Sequence, residues 1–160
     1  MQPNDFPLVW PAGRARTPAA ERIDGRFRAT FEAAYDDLVA EAERLHDAVD
    51  CDVVVSSSVP IGRDGLPLVS AAGWVKDPGV CVYVWRGGRP YAIACDTYRE
   101  VRHNLRAISA TVMALRTVQR HGALSLLEQS MDGFRREVEG VEVSDRRLAA
   151  AGKSVDGRDA

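Results

Sequence analysis

Lysine is almost missing from this chain: Lys76 and Lys153 are the only two, and arginine supplies the rest of the 21 basic residues. So strong a bias follows from codon composition as readily as from a need to grip phosphate, and by itself it identifies no partner. Cysteine is scarce as well. Cys51, Cys81 and Cys95 lack the C-x-x-C spacing of a zinc finger and are too few for a disulfide framework, so small buried strand residues are expected. No run of about 18 apolar residues is present to span a bilayer, and Met1 to Arg16 lacks the unbroken apolar core of a signal peptide. A cytoplasmic protein with no membrane partner is the expectation.

Catalytic signatures are missing too. Ser56, Ser57 and Ser58 have no Gly-x-Ser-x-Gly elbow around them, and no full Gly-x-x-x-x-Gly-Lys-Ser/Thr phosphate loop occurs. The nearest grouping of metal-ligating types is Cys95, Asp96 and His103, whose spacing fits no compact metal motif. His103 is expected on the solvent flank of a helix, beside Arg99 and Arg106. Asp64, Asp77 and Asp96 all fall at turns, where Asp is favoured for its local hydrogen bonds. No catalytic residue, metal or cofactor is therefore assigned, and an enzyme is not expected.

What is present is ordinary globular material: 160 residues, 46% hydrophobic, with a formal net charge of −2. Val80 to Arg86 and Pro90 to Cys95 are β-rich runs separated by Gly87-Gly88, a dipeptide suited to a two-residue hairpin turn. That turn sets Val84 opposite Tyr91 and Val82 opposite Ile93 on one surface, with Tyr83 facing Ala92 and Cys81 facing Ala94 on the other. Both surfaces are apolar, so the hairpin is expected to be covered on both sides. A Thr-x-x-Glu box at Thr97 to Glu100 then predicts the start of a helix, with Val101, Leu105, Ile108, Val112 and Leu115 on its core face and Gly122 as its stop. Along one flank Arg99, Arg102, Arg106, Arg116 and Arg120 fall within about 100° of arc.

Upstream, Phe27, Phe31, Tyr35, Leu38, Ala42, Leu45 and Val49 share one helical face, which predicts an amphipathic helix from about Pro18 to Val49 with Gly25 weakening its first turn. Asp52 to Ser58 predicts a strand, Arg63-Asp64-Gly65 a turn, and Leu68 to Val75 a further short strand. A second box, Ser125 to Glu128, predicts a shorter helix with Leu127, Met131, Phe134 and Val138 on one side. The expected class is α+β, a three- to four-stranded antiparallel sheet packed with helices in the order α-β-(β)-β-β-α-α. Residues 1–17, with Pro3, Pro7 and Pro11 around Phe6 and Trp10, are an extended arm; residues 18–140 form one domain, and 141–160 a flexible tail.

Charge is partitioned. Glu32, Asp36, Asp37, Glu41, Glu43, Asp47, Asp50 and Asp52 face only Arg44 in their segment, whereas Tyr98 to Gly122 sets five arginines against Glu100. Either the arginines meet an anionic partner, or two helices of opposite charge face each other or solvate their outer faces.

Several separated motifs occur together: WPAG and RTP between Trp10 and Pro18, SSSVPIGRDGLP at Ser56 to Pro67, DPGVCVYV at Asp77 to Val84, ACDTYREVRHNLRAI at Ala94 to Ile108, ALRTVQRHG at Ala114 to Gly122, and MDGF at Met131 to Phe134. In this order, over about 130 residues, the chain resembles a family of phage, prophage and bacterial proteins known as J-domain-containing or DnaJ-like. In longer members this region precedes a J domain, whose His-Pro-Asp tripeptide stimulates a heat-shock chaperone. His46-Asp47, His103-Asn104 and His121-Gly122 are the only histidine contexts here, so that tripeptide is absent. The resemblance implies a copy of the N-terminal module alone, of phage or prophage type, and no co-chaperone activity.

Two functions compete. One is a non-enzymatic accessory factor that binds DNA or RNA, with Arg99, Arg102, Arg106, Arg116 and Arg120 on phosphates and Tyr83 or Trp85 stacking on bases. The other is a protein-interaction module, an adaptor for a host or phage protein or a homo-oligomer, in which the arm residues Phe6 and Trp10 dock on the domain or a neighbour. Solvent exposure of the arginines in one continuous surface favours the first; pairing with the acids of residues 32–52 favours the second.

Overall fold

The computed structural model describes residues 4–46, 53–86, 89–122, 124–132 and 134. The expected tail, Cys51, Val49, Val138 and the Gly87-Gly88 turn lie outside these residues.

The hairpin sets the frame. Strands β3 (Val80–Arg86) and β4 (Arg89–Cys95) pair antiparallel, with Val84 against Tyr91, Val82 against Ile93, Tyr83 against Ala92 and Cys81 against Ala94, the register expected of a two-residue turn. Strand β2 (Val54–Ser57) adds antiparallel to β3, and a two-residue strand β1 (Asn4–Asp5) runs parallel to β2 at the edge, giving the order β1-β2-β3-β4. Helices α1 (Phe31–Leu45), α2 (Val101–Arg120) and α3 (Leu124–Asp132) complete an α+β fold.

Alternation along each strand explains why the sheet is apolar on both faces. Val80, Val82, Val84 and Ile93 point into the main core with Leu38, Ala42 and Leu45 of α1, Leu105, Ile108 and Val112 of α2, and Leu127 and Met131 of α3. Cys81, Tyr83, Ala92, Ala94 and Val54 point the other way, where Leu8, Val9 and Trp10 of the N-terminal arm cover them. The backbone N–H of Val9 donates to Ser56 Oγ at 2.7 Å, and the Tyr83 hydroxyl donates to the Val9 carbonyl at 3.0 Å. Each bond satisfies a polar group that the apolar contact would otherwise strand. Ala92 N–H donates to the Phe134 carbonyl at 3.0 Å, which occupies part of the outer edge of β4.

The chain departs from expectation at four boundaries. α1 starts at Phe31 rather than near Pro18, with Thr30 Oγ1 accepting from Ala33 N–H as the cap. Residues 22–24 instead run extended beside residues 97–99: Ile23 N–H donates to the Thr97 carbonyl and Arg99 N–H to the Ile23 carbonyl, both at 3.0 Å. Phe27 keeps its apolar role off the helix, edge-on to the Tyr98 ring at 5.6 Å. The same bridge cancels the Thr97 capping box, because Thr97 is held in extended chain and α2 begins one turn later after Glu100. Leu68 to Val75 forms no strand. Val69–Ala71 is a single 3-10 turn, and the Ile61 to Pro67 bridge closes the preceding loop, with Gly65 at φ 80° as the turn requires. α3 begins at Leu124, which puts Ser125 inside the helix rather than at its cap. Gly122, at φ 77°, ends α2 as expected.

Candidate functional site

The arginine stripe lies along α2, but opposite charges meet it. Arg106 pairs with Asp37 and Arg116 with Glu41, both across the α1/α2 packing. Arg99 pairs with Asp24 at 3.1 Å and Arg102 with Glu100 at 2.8 Å, while Arg120 donates to Thr117 Oγ1 at 3.2 Å. At Asp37 and Glu41, therefore, the acids of α1 and the arginines of α2 are opposite sides of one helix pair. Such pairs are individually weak at a surface, but four of the five arginines face an acid and only Arg120 is met by a hydroxyl alone.

Tyr83 is not placed to stack on a base. Burial alternation turns it inward, the arm lies over its ring, and only 2% of it is exposed. Desolvation and the neighbouring Cys81 push its phenol well above the usual range, so it remains a neutral donor. Trp85 is half-buried, edge-on to His46 at 6.1 Å, and its backbone N–H donates to His46 Nδ1 at 3.0 Å. His103 is also inside, contrary to its expected place on the solvent flank. It is 3% exposed, packed between Phe27 and Tyr98 with Gly25 lying against it. The core face of α2 is the expected one; His103 is buried because the extended 22–29 segment covers the flank that carries it.

Of the two arm residues, Trp10 docks. Its indole N–H donates to the Arg14 carbonyl at 2.9 Å, and the Arg16 guanidinium lies 4.3 Å from its ring centroid. Phe6 is 50% exposed.

Three of the motifs noted in the sequence converge where the arm meets the domain. Arg16 Nε donates to Asp96 Oδ2 at 2.7 Å and its terminal nitrogens to Asp77; the Thr17 hydroxyl and N–H donate to Asp96 at 2.7 and 3.0 Å. Arg22 stands 3.7 Å from Asp96. Burial pushes both carboxyls up, but the hydrogen bonds from Arg16, with Gly79 N–H helping Asp77 and Thr17 helping Asp96, outweigh it and hold both below the usual range. Burial likewise pulls the Arg16 guanidinium down and the two aspartates more than restore it. Beside this cluster, Asn104 is fully buried and ties three segments: it accepts from Tyr98 N–H at 3.0 Å and donates to the Pro78 and Tyr98 carbonyls at 2.8 and 3.0 Å. Arg16, Thr17, Asp77, Asp96 and Asn104 are all bonded to other parts of the chain, so the cluster acts as a fastening, while Arg22 Nε is buried beside it without a hydrogen-bond partner. RTP, DPGV and ACDT marked these positions in the sequence, but nothing there showed that they meet.

One surface was not anticipated. Within nine residues, Leu66, Leu68 and Val69 are each 44% exposed and Trp74 is 87% exposed. The loop carrying them is tied by its own backbone: Gly62 N–H to the Leu66 carbonyl at 2.8 Å, Leu68 N–H to the Pro60 carbonyl at 2.8 Å, and Trp74 N–H to the Ala71 carbonyl at 2.9 Å. Asp64 Oδ1 accepts from Leu66 N–H at 3.1 Å. The only sequence signal was a run, LVSAAGWV, with apolar residues but no strand alternation.

Among the described residues no three His, Cys or acidic side chains converge as a metal site, and no helix is long and apolar enough to cross a membrane. No family model matches the chain, and neither the curated proteins nor the solved structures give a match.

Proposed function

We propose that this chain is a non-enzymatic accessory protein, of the phage or prophage type that its motif order resembles, and that it works by binding protein. The observation that carries this reading is the loop 66–74, which presents Trp74 and three aliphatic side chains to solvent on a hydrogen-bonded backbone. Large exposed apolar groups clustered on a pre-ordered loop suit protein contact, because little conformational entropy is lost when the surface is covered. The competing nucleic-acid reading is weakened by the pairing of the α2 arginines and by the burial of Tyr83.

Two measurements on the same preparation test the proposal. Immobilised protein and its Trp74→Ser variant are exposed to lysate of the native host; a partner held by the first and lost from the second supports the reading. Single- and double-stranded oligonucleotides are titrated at about 50 mM salt and above. Tight binding that falls steeply with salt and ignores Trp74 would replace the proposal with the nucleic-acid one.

A further inference from the structure

We propose that the fastening of the N-terminal arm has two positions: Arg22 takes over Asp77 and Asp96 when Arg16 leaves them, so the arm lifts from the sheet without stranding either carboxylate. The two arginines address the same atoms. With the arm docked, Arg16 Nη2 bonds Asp77 Oδ1 and Arg16 Nε bonds Asp96 Oδ2 at 2.7 Å. Arg22 Nη2 stands 3.9 Å from that same Asp77 Oδ1 and 3.7 Å from that same Asp96 Oδ2. A charge-assisted hydrogen bond closes at about 2.7 to 2.9 Å, so Arg22 falls about 1 Å short of both. Its side chain is only 12% exposed, and its Nε is buried with no hydrogen-bond partner. The docked arm therefore leaves Arg22 beside two acceptors that Arg16 already holds.

The chain sets the two arginines on opposite sides of a hinge. Arg22 precedes Ile23, whose N–H and carbonyl are bonded to Thr97 and Arg99, so it stays with the domain. Arg16 and Thr17 belong to the arm. Between them Pro18 to Glu21 are all exposed, and their one turn is closed by Glu21 N–H on the Pro18 carbonyl at 2.9 Å. Asp96 has a side chain only 5% exposed, so losing Arg16 with nothing in reserve would leave a buried, uncompensated charge. Arg22 removes that penalty from the lifted state and contributes little to the docked one. Lifting uncovers Cys81 and Tyr83, which Leu8, Val9 and Trp10 otherwise cover. Gly79 marks how closely the docked arm lies: a Cβ there would fall 2.9 Å from both Arg16 Nη2 and Leu8 Cδ2, two atoms of the arm.

Thiol labelling of Cys81 under native conditions, in the full chain carrying Cys51→Ser and Cys95→Ser, follows the fraction of molecules with the arm lifted and tests this. Gly79→Ala crowds the docked arm and should speed labelling about tenfold or more. Arg22→Ala should slow labelling by about threefold or more, both in this background and with Gly79→Ala added. The sign is diagnostic, because an arginine that only strengthened the docked fastening would speed labelling when removed. Arg22→Gln keeps much of the stem and loses the charge; it should act like Arg22→Ala and carries the test where circular dichroism shows the alanine variant unfolded. Labelling at the parent rate or faster in the folded Arg22 variants would overturn the inference. So would a Gly79→Ala protein whose Cys81 reacts no faster than the parent's, or a parent rate that climbs steeply with low urea, since Cys81 would then be reached only by global unfolding.

Discussion

At the scale of single residues, the groups that matter most for holding the fold are polar ones. Asp96 is 4% exposed and receives Arg16 and Thr17, so Asp96→Ala strands donors and should cost about 2 to 4 kcal/mol in urea denaturation. Asp77 shares Arg16 but is about one-third exposed, and solvent screening limits Asp77→Ala to about 1 kcal/mol. Both carboxyls are held below their usual range, so their contribution is complete above the unfolded value of 3.8 and is lost as pH falls through the lower folded values. Acid unfolding should therefore set in below that value, and its slope should flatten in Asp96→Asn, which removes one of the two proton-binding sites. A second pair checks the covering of His103. A Cβ on Gly25 would fall 2.2 Å from His103 Cγ, so Gly25→Ala should cost about 1 to 3 kcal/mol. Adding His103→Ala removes the ring atoms at 2.2 and 2.5 Å but leaves the Cβ at 2.7 Å, so the clash is relieved only in part, and the double variant should be more stable than the sum of the singles by about 1 kcal/mol. Simple additivity would show that the two residues do not touch.

At the scale of elements, burial decides which helix positions tolerate change. Leu105 and Ile108 are each 1% exposed in the centre of α2, so Leu105→Ala and Ile108→Ala should each cost about 2 to 5 kcal/mol. Arg106→Ala removes one surface pair with Asp37 and should cost less than about 1 kcal/mol. The reverse order under chemical denaturation would mean that α2 is rotated. Hairpin register and the core faces of α1 and α2 were legible in the sequence because periods of two and of 3.6 residues are local properties. Helix starts were not: Phe27 continues the apolar spacing of α1, and Thr97-x-x-Glu100 satisfies the capping pattern, yet both segments are drawn into extended chain by the bridge between Ile23 and Tyr98. A partner 75 residues away leaves no trace in either window. Leu68 to Val75 misled for the opposite reason. Its apolar content suggested a short strand, whereas the segment folds into a 3-10 turn that leaves Leu68, Val69 and Trp74 exposed and turns Ala72 and Val75 to the core.

At the scale of the whole molecule, the N-terminal arm turns an open two-faced sheet into a closed one. The sequence indicated that the hairpin needed two covers, and the arm's aromatic and proline content marked it as able to dock; what remained illegible was that its fastening is the ionic group of Arg16, Asp77 and Asp96. Removing residues 1–11 deletes β1, Leu8, Val9 and Trp10 while keeping Arg16 and Thr17. The loss of three partly buried apolar side chains is worth about 2 to 4 kcal/mol, which for a chain of this size lowers Tm by roughly 5 to 15 °C. Cys81 reports directly on the uncovered face. Burial pushes its thiol up to about 12, and in the intact protein it is fully buried, so it should resist thiol reagents near neutral pH. In a Cys51→Ser, Cys95→Ser background, truncation should return the thiol toward its ordinary range and let it react many times faster under native conditions. Unchanged melting together with an inert Cys81 would mean that the sheet's second face is closed by something other than the arm.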